Sequence, residues 1–164
     1  RWKEVWARLG DPPTNSSSLN SYWTLRMRLH GWARDPEGAL ACRDLILVQP
    51  FETQSLVLSL MEVLSGHSTP DALASVLTQF GQSNAVARRK SYFLQIVVEI
   101  RATFGDPDKA LDALEESARG KLSDLTWLDL CPLLDSIRNH PRFLAVREEV
   151  AARASEALAV LDRS

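Results

Sequence analysis

The side chains of this 164-residue chain best suited to proton transfer, nucleophilic attack or metal ligation are three histidines, two cysteines and two adjacent carboxylate pairs. His30, His67 and His140 are scattered along the chain, and none has a second His, Cys or carboxylate at a metal-ligand spacing such as His-Glu-x-x-His. His140, beside Pro141, reads as a loop residue. Glu115-Glu116 and Glu148-Glu149 fall on helical patterns, where neighbours point about 100° apart. They therefore cannot face each other as an acid and a base must, and they read as solvated faces. The seven glycines are isolated helix stops rather than a phosphate-cradling loop, and no Gly-x-Ser-x-Gly elbow occurs. Cys42 and Cys131 lie far apart in apolar helical patterns, which suits two buried, reduced thiols better than a disulfide framework and favours a cytoplasmic location. The expectation is a chain with no catalytic, cofactor-binding or metal-binding residues, and not an enzyme.

Charge excludes further classes. Nineteen basic and 21 acidic residues give a formal net charge of −2, so no broad attraction to nucleic acid or anionic membrane is expected. Arg88-Arg89-Lys90 is the one basic run, too short for the six or so phosphate contacts that strong nucleic-acid binding recruits. No stretch approaches the roughly 20 apolar residues of a membrane span. The chain opens on Arg1 in residues that already look helical, and it reads as a segment of a longer protein.

The elements that would position these groups are helices. Trp2, Val5, Trp6 and Leu9 form one apolar stripe, stopped by Gly10 and Pro12-Pro13. A second helix is predicted from about Leu19 to Ala33, capped by Ser18 or Asn20. Asp35-Pro36 opens a third, with a stripe of Ala39, Leu40, Cys42, Leu45, Ile46 and Val48, ending at Pro50. Others are predicted at about Glu52 to Leu64, from Pro70 to a stop at Gly81, from Asn84 to Phe104, from Asp106-Pro107 to Gly120, from Thr126 to Asn139, and from Arg142 to Leu161. Pro141 is predicted to open the last of these. Sustained period-2 alternation is absent. The five tryptophans sit on apolar stripes and read as core, but an exposed Tyr22/Trp23 pair would instead anchor a ligand. The last helix has an apolar side (Phe143, Val146, Val150, Ala154, Ala157, Leu161) and a charged one (Arg147, Glu148, Glu149, Arg153, Glu156), as a solenoid's terminal cap requires.

The helix starts repeat. Asp35-Pro36-Glu37-Gly38-Ala39-Leu40, Pro70-Asp71-Ala72-Leu73 and Asp106-Pro107-Asp108-Lys109-Ala110-Leu111 align on their alanines, 33 and 38 residues apart. Such periods, each holding two helices, match helix-turn-helix solenoids. A small residue lets the second helix of each pair lie close against the first.

With these Ala-Leu pairs, and Pro50 near the repeat-ending position, the chain resembles the tetratricopeptide repeat family over about residues 19–120. The first helices lack that family's clean Trp-Leu-Gly-Tyr pattern. The stretch from Trp127 to Phe143 resembles the terminal segment of bacterial tetratricopeptide domains, which often end multidomain signalling proteins such as serine/threonine kinases, nucleotide cyclases and transcriptional activators. The resemblance implies an all-α, right-handed α-solenoid of antiparallel helix pairs with about nine helices. Residues 1–18 would be an N-terminal helix and loop, either the end of a preceding repeat or a cap that folds back, 19–120 three degenerate pairs, and 121–164 a terminal pair and cap. It implies a protein-interaction, scaffolding or regulatory module. In that family the first helix of each pair lines a concave groove, which makes Tyr22, Arg26, Asn84 and Arg88 candidates for holding a peptide or protein partner, or another domain of the same polypeptide. A solvated helix face is the commoner role for such residues. Self-association as a homodimer is the alternative.

Overall fold

The structure, a computed structural model, describes the backbone of residues 2–48, 50–82, 87–120 and 122–161, with their side chains except those of 2–3, 78–82, 87–89, 157–158 and 160–161. Every regular element among these residues is helical. The chain divides into two compact units, Arg1–Leu77 and Thr78–Ser164.

In the first unit, α1 (Trp2–Leu9) stops at Gly10, whose φ of +69° an L side chain rarely adopts. Helix α2 (Ser16–Ala33) begins a turn earlier than its sequence suggests. Asn15 is the cap, its Oδ1 accepting from the Ser18 amide at 2.8 Å. Of the two expected caps, Ser18 supplies the donor. Asn20 turns outward, its Oδ1 accepting from the amide and hydroxyl of Thr53 at 3.0 and 3.2 Å. That pair sets the start of α5 (Gln54–Leu64) beside the first turns of α2. Helix α2 also packs on α3 (Pro36–Ala41), which opens as expected with Asp35 Oδ1 accepting from the Gly38 amide at 2.9 Å and Pro36 in the first position.

The single helix expected from Asp35 to Pro50 is broken. The Cys42 amide bonds to Ala39 O, a tightened three-residue turn that ends α3, and the chain restarts as α4 (Arg43–Val48). The restart changes which residues face inward. Ile46 is buried, whereas Leu45 and Val48, both on the expected stripe, are exposed. Helix α6 (Pro70–Gln82) runs through Gly81, where a stop was expected.

In the second unit, α7 (Ala87–Thr103) and α8 (Pro107–Arg119) form an antiparallel hairpin. The turn uses Gly105 at φ +83° and an Asp106 cap on the Lys109 amide. Ser91 and Ser117 hydroxyls meet at 2.9 Å, and Lys90 Nζ reaches Glu116 at 2.8 Å, so the start of α7 lies beside the end of α8. Helix α9 (Leu125–Leu130) is capped by Asp124 and stops early, not at Asn139. Pro132 explains this: the residue before a proline is pushed out of the α region, and Cys131 is extended at ψ 117°. A 3-10 turn at Pro132–Leu134 follows, then α10 (Pro141–Leu161), with Pro141 first in the helix.

Phe143, Val146 and Val150 of α10 are buried. Part of its opposite face, expected to be solvated, holds it in register. Arg142 reaches Asp112 and Glu115 on α8 at 2.6 Å each, and Arg147 reaches Asp129 at 2.6 Å. Arg153 donates to the carbonyls of Ala118 and Leu122. The order of these partners makes α10 run in the same direction as α8. The alanine rule holds at two of its three positions: Ala39 and Ala110 are fully buried, but Ala72 is exposed and only its neighbour Leu73 is buried.

Candidate functional site

The densest set of polar and aromatic groups in the first unit lies where α1, α2 and the start of α3 meet. Residues 22, 23, 26 and 30 span just over two turns of α2, so 3.6-residue periodicity places Tyr22, Arg26 and His30 in one column. The Tyr22 hydroxyl donates to Gly10 O at 3.0 Å and accepts from Arg26 Nη1 at 2.5 Å. The Tyr22 ring stands edge-on to Trp23, centroids 5.0 Å apart. The Arg26 guanidinium carbon lies 5.8, 5.8 and 5.7 Å from the rings of Trp6, Tyr22 and Trp23, three faces around one cation. Burial works against the Arg26 charge, but hydrogen bonding to Tyr22 and the field of Cys42 outweigh it and keep the group ionised. Arg26 Nε is buried and has no hydrogen-bond partner among the described residues.

The column continues into a relay. The Trp6 ring packs over His30, centroids 4.5 Å apart and tilted 31°. His30 Nδ1 lies 3.0 Å from Asp35 Oδ2, and Nε2 lies 3.7 Å from Cys42 Sγ. The thiol also reaches Gly38 O at 3.3 Å. Gly38 makes this closeness possible: a Cβ there would stand 2.1 Å from Asp35 Oδ2 and 2.7 Å from His30 Cε1. Because the carboxylate only accepts, Nδ1 must carry the hydrogen, which leaves the Nε2 lone pair facing the thiol.

Burial pushes His30 below its ordinary value of 6.5 despite the pull of Asp35. The Gly38 amide, with His30 assisting, holds Asp35 below the usual carboxylate range, and burial pushes the Cys42 thiol up against the pull of Arg26. A histidine more acidic when folded resists protonation that the unfolded chain accepts. Its contribution is therefore complete above pH 6.5 and is lost as pH falls below that value toward its folded pKa. The stability of the wild-type chain is expected to fall as pH drops below about 6.5, above the range in which carboxylates titrate. His30→Gln should flatten that part of a denaturation-midpoint profile. An unchanged slope in the variant would refute the assignment.

The second unit holds its own buried polar set. Glu99, 2 % exposed, accepts from Trp127 Nε1 at 2.7 Å and from Cys131 Sγ at 3.5 Å. Arg138 donates to the carbonyls of Leu128, Asp129 and Cys131 and pairs with Asp135 at 3.0 Å. It thereby satisfies the carbonyls that the early end of α9 leaves open. Glu99, Trp127 and Cys131 are engaged with one another inside the packing, whereas Arg138 is half-buried and its partner Asp135 is exposed. No group of three His, Cys, Asp or Glu among the described residues could hold a metal ion.

Of the residues expected to bind a partner, Tyr22 and Arg26 are brought together. Asn84 and the side chain of Arg88 lie outside the described residues. Tyr22 and Trp23 are not an exposed pair: Trp23 is 1 % exposed, and Tyr22 is buried beneath the chain following α1. His30, Asp35 and Cys42 were not connected by their sequence spacing. The available signal was Asp35-Pro36 directly after α2, since a capping Asp there turns back over the preceding helix's last turn. No family model, curated protein or solved structure matches the chain.

Proposed function

We propose that this chain is a protein-interaction module of tetratricopeptide-like helix pairs, with a scaffolding or regulatory role in a larger bacterial signalling protein. Its partner would be a segment of another protein or of the same polypeptide. The observation that carries the reading is the occupancy of the Tyr22–Arg26–His30 face by a short amphipathic helix, α1, held through Trp6. A face that accepts one helix through an indole, a guanidinium and an imidazole has the chemistry to accept another. The packing within each unit supports the repeat. Successive helices α7 and α8 run antiparallel, next-but-one helices α8 and α10 run the same way, and α2 and α5 begin side by side. In this reading α1 is the resident occupant and partners exchange with it.

Affinity capture with the wild-type chain and its Trp6→Ala and Arg26→Glu variants tests this. Trp6→Ala should capture a specific partner more strongly than wild type, and Arg26→Glu should lose it. The same proteins recovered from all three would count against the reading. Self-association is the second reading, favoured by Leu45, Leu47 and Val48, which lie exposed on α4. Light scattering at micromolar concentration separates the two, since a clean monomer near 18.3 kDa removes the homodimer.

A further inference from the structure

Both cysteines are buried and outside any disulfide, but their surroundings are opposite in character. Cys131 Sγ faces the carboxylate of Glu99, an acceptor that disfavours a thiolate beside it. The Cys42 thiol, its pKa raised by burial but pulled the other way by the Arg26 guanidinium, reaches Gly38 O at 3.3 Å and faces the unprotonated Nε2 of His30 at 3.7 Å. A buried histidine is satisfied by one good partner, and Asp35 supplies that at Nδ1. The second ring nitrogen is aimed at a nucleophile, and Gly38 leaves the room in which Asp35 and His30 meet. Trp6 lies over the imidazole, so α1 covers that ring of the arrangement.

We propose that Cys42 is a thiol–disulfide exchange site for small disulfides, with His30 as its proton acceptor, Asp35 as a positioning residue and α1 as its cover. When Trp6 lifts from His30, Cys42 sulfur attacks one sulfur of the disulfide. A new S–S bond forms to Cys42 as the incoming S–S bond breaks. The thiol proton passes to His30 Nε2 and then to the departing thiolate, which leaves as a free thiol. The small disulfide is the oxidant, and it is reduced to one thiol and one half of the mixed disulfide. The adduct places new bulk under Trp6 and keeps α1 from closing.

The test incubates the folded full chain with oxidised glutathione at neutral pH and follows adducts at each cysteine by peptide mass. Cys42 should react at least about tenfold faster than Cys131, since selectivity follows the local environment of each thiol. Trp6→Ala should accelerate Cys42 alone. Asp35→Asn separates positioning from folding: its amide oxygen can still cap the Gly38 amide, but its NH₂ would face Nδ1 and move the imidazole hydrogen to Nε2. Its rate should drop by about 100-fold, the scale of a lost general base, while its melting curve stays close to wild type. Equal rates at the two cysteines of the folded wild-type chain would overturn the proposal without any variant. So would an Asp35→Asn chain that is folded and reacts as fast as wild type.

Discussion

Trp23→Ala is expected to lower the unfolding free energy by about 3–5 kcal/mol, within the range for aromatic truncation in a core. The ring is 1 % exposed. It meets Tyr22 edge-on and lies 5.7 Å from the Arg26 guanidinium. Alanine would leave a cavity behind the candidate site as well as removing apolar burial. Small domains hold only about 5–15 kcal/mol in total, so the variant should lose a large share of its margin. Urea denaturation checks this through a lower midpoint at unchanged slope. Trp23→Phe, which keeps a ring in the same place, should cost less than half as much. A loss below about 1 kcal/mol for the alanine variant would place Trp23 among surface-like positions and contradict its burial beside Tyr22 and Arg26.

Ala110→Phe is expected to cost about 3 kcal/mol, the upper end for overpacking a tight core. Ala110 sits in the first turns of α8, wholly buried in the hairpin with α7. A phenyl ring there must push the two helices apart, breaking the close approach that brings Ser91 to Ser117. Ala72→Phe is the matched comparison. It occupies the same place in the repeated Ala-Leu motif but is exposed, so its cost should stay within about 0.5 kcal/mol. Equal losses at the two positions would show that the motif, rather than burial, sets tolerance.

The contrast between Ala110 and Ala72 marks how far the sequence could be read. Helical periodicity and Gly/Pro punctuation place most elements, because stops such as Gly10, Gly66 and Gly105 need positive φ wherever they fall. Local propensity does not say where a helix breaks under tertiary ties. Cys42 and Cys131 each end a helix that periodicity would have carried through, one by a tightened turn and one by the proline after it. Those breaks expose Leu45 and Val48 and turn Leu130, at the end of α9, out to 70 % exposure. At the site, Tyr22 and Arg26 were legible because they share a helix face. The link from His30 to Asp35 and Cys42 crosses a turn into another helix, and spacing within one helix carries no signal for it. That α1 folds back over α2 was only one of two open readings, since a stripe of four apolar residues does not name its partner.

The claim that the α2 face is a helix-receiving surface with α1 as its occupant has a direct test. A synthetic peptide spanning residues 1–15 is titrated into the full chain carrying Trp6→Ala and into the wild-type chain, with binding followed by NMR shifts of the α2 amides. Saturable binding to the variant is expected at Tyr22, Arg26 and His30. Binding to wild type should be far weaker, because its tethered α1 holds the face at high effective concentration. A peptide that binds neither chain, or both equally well, would contradict the claim.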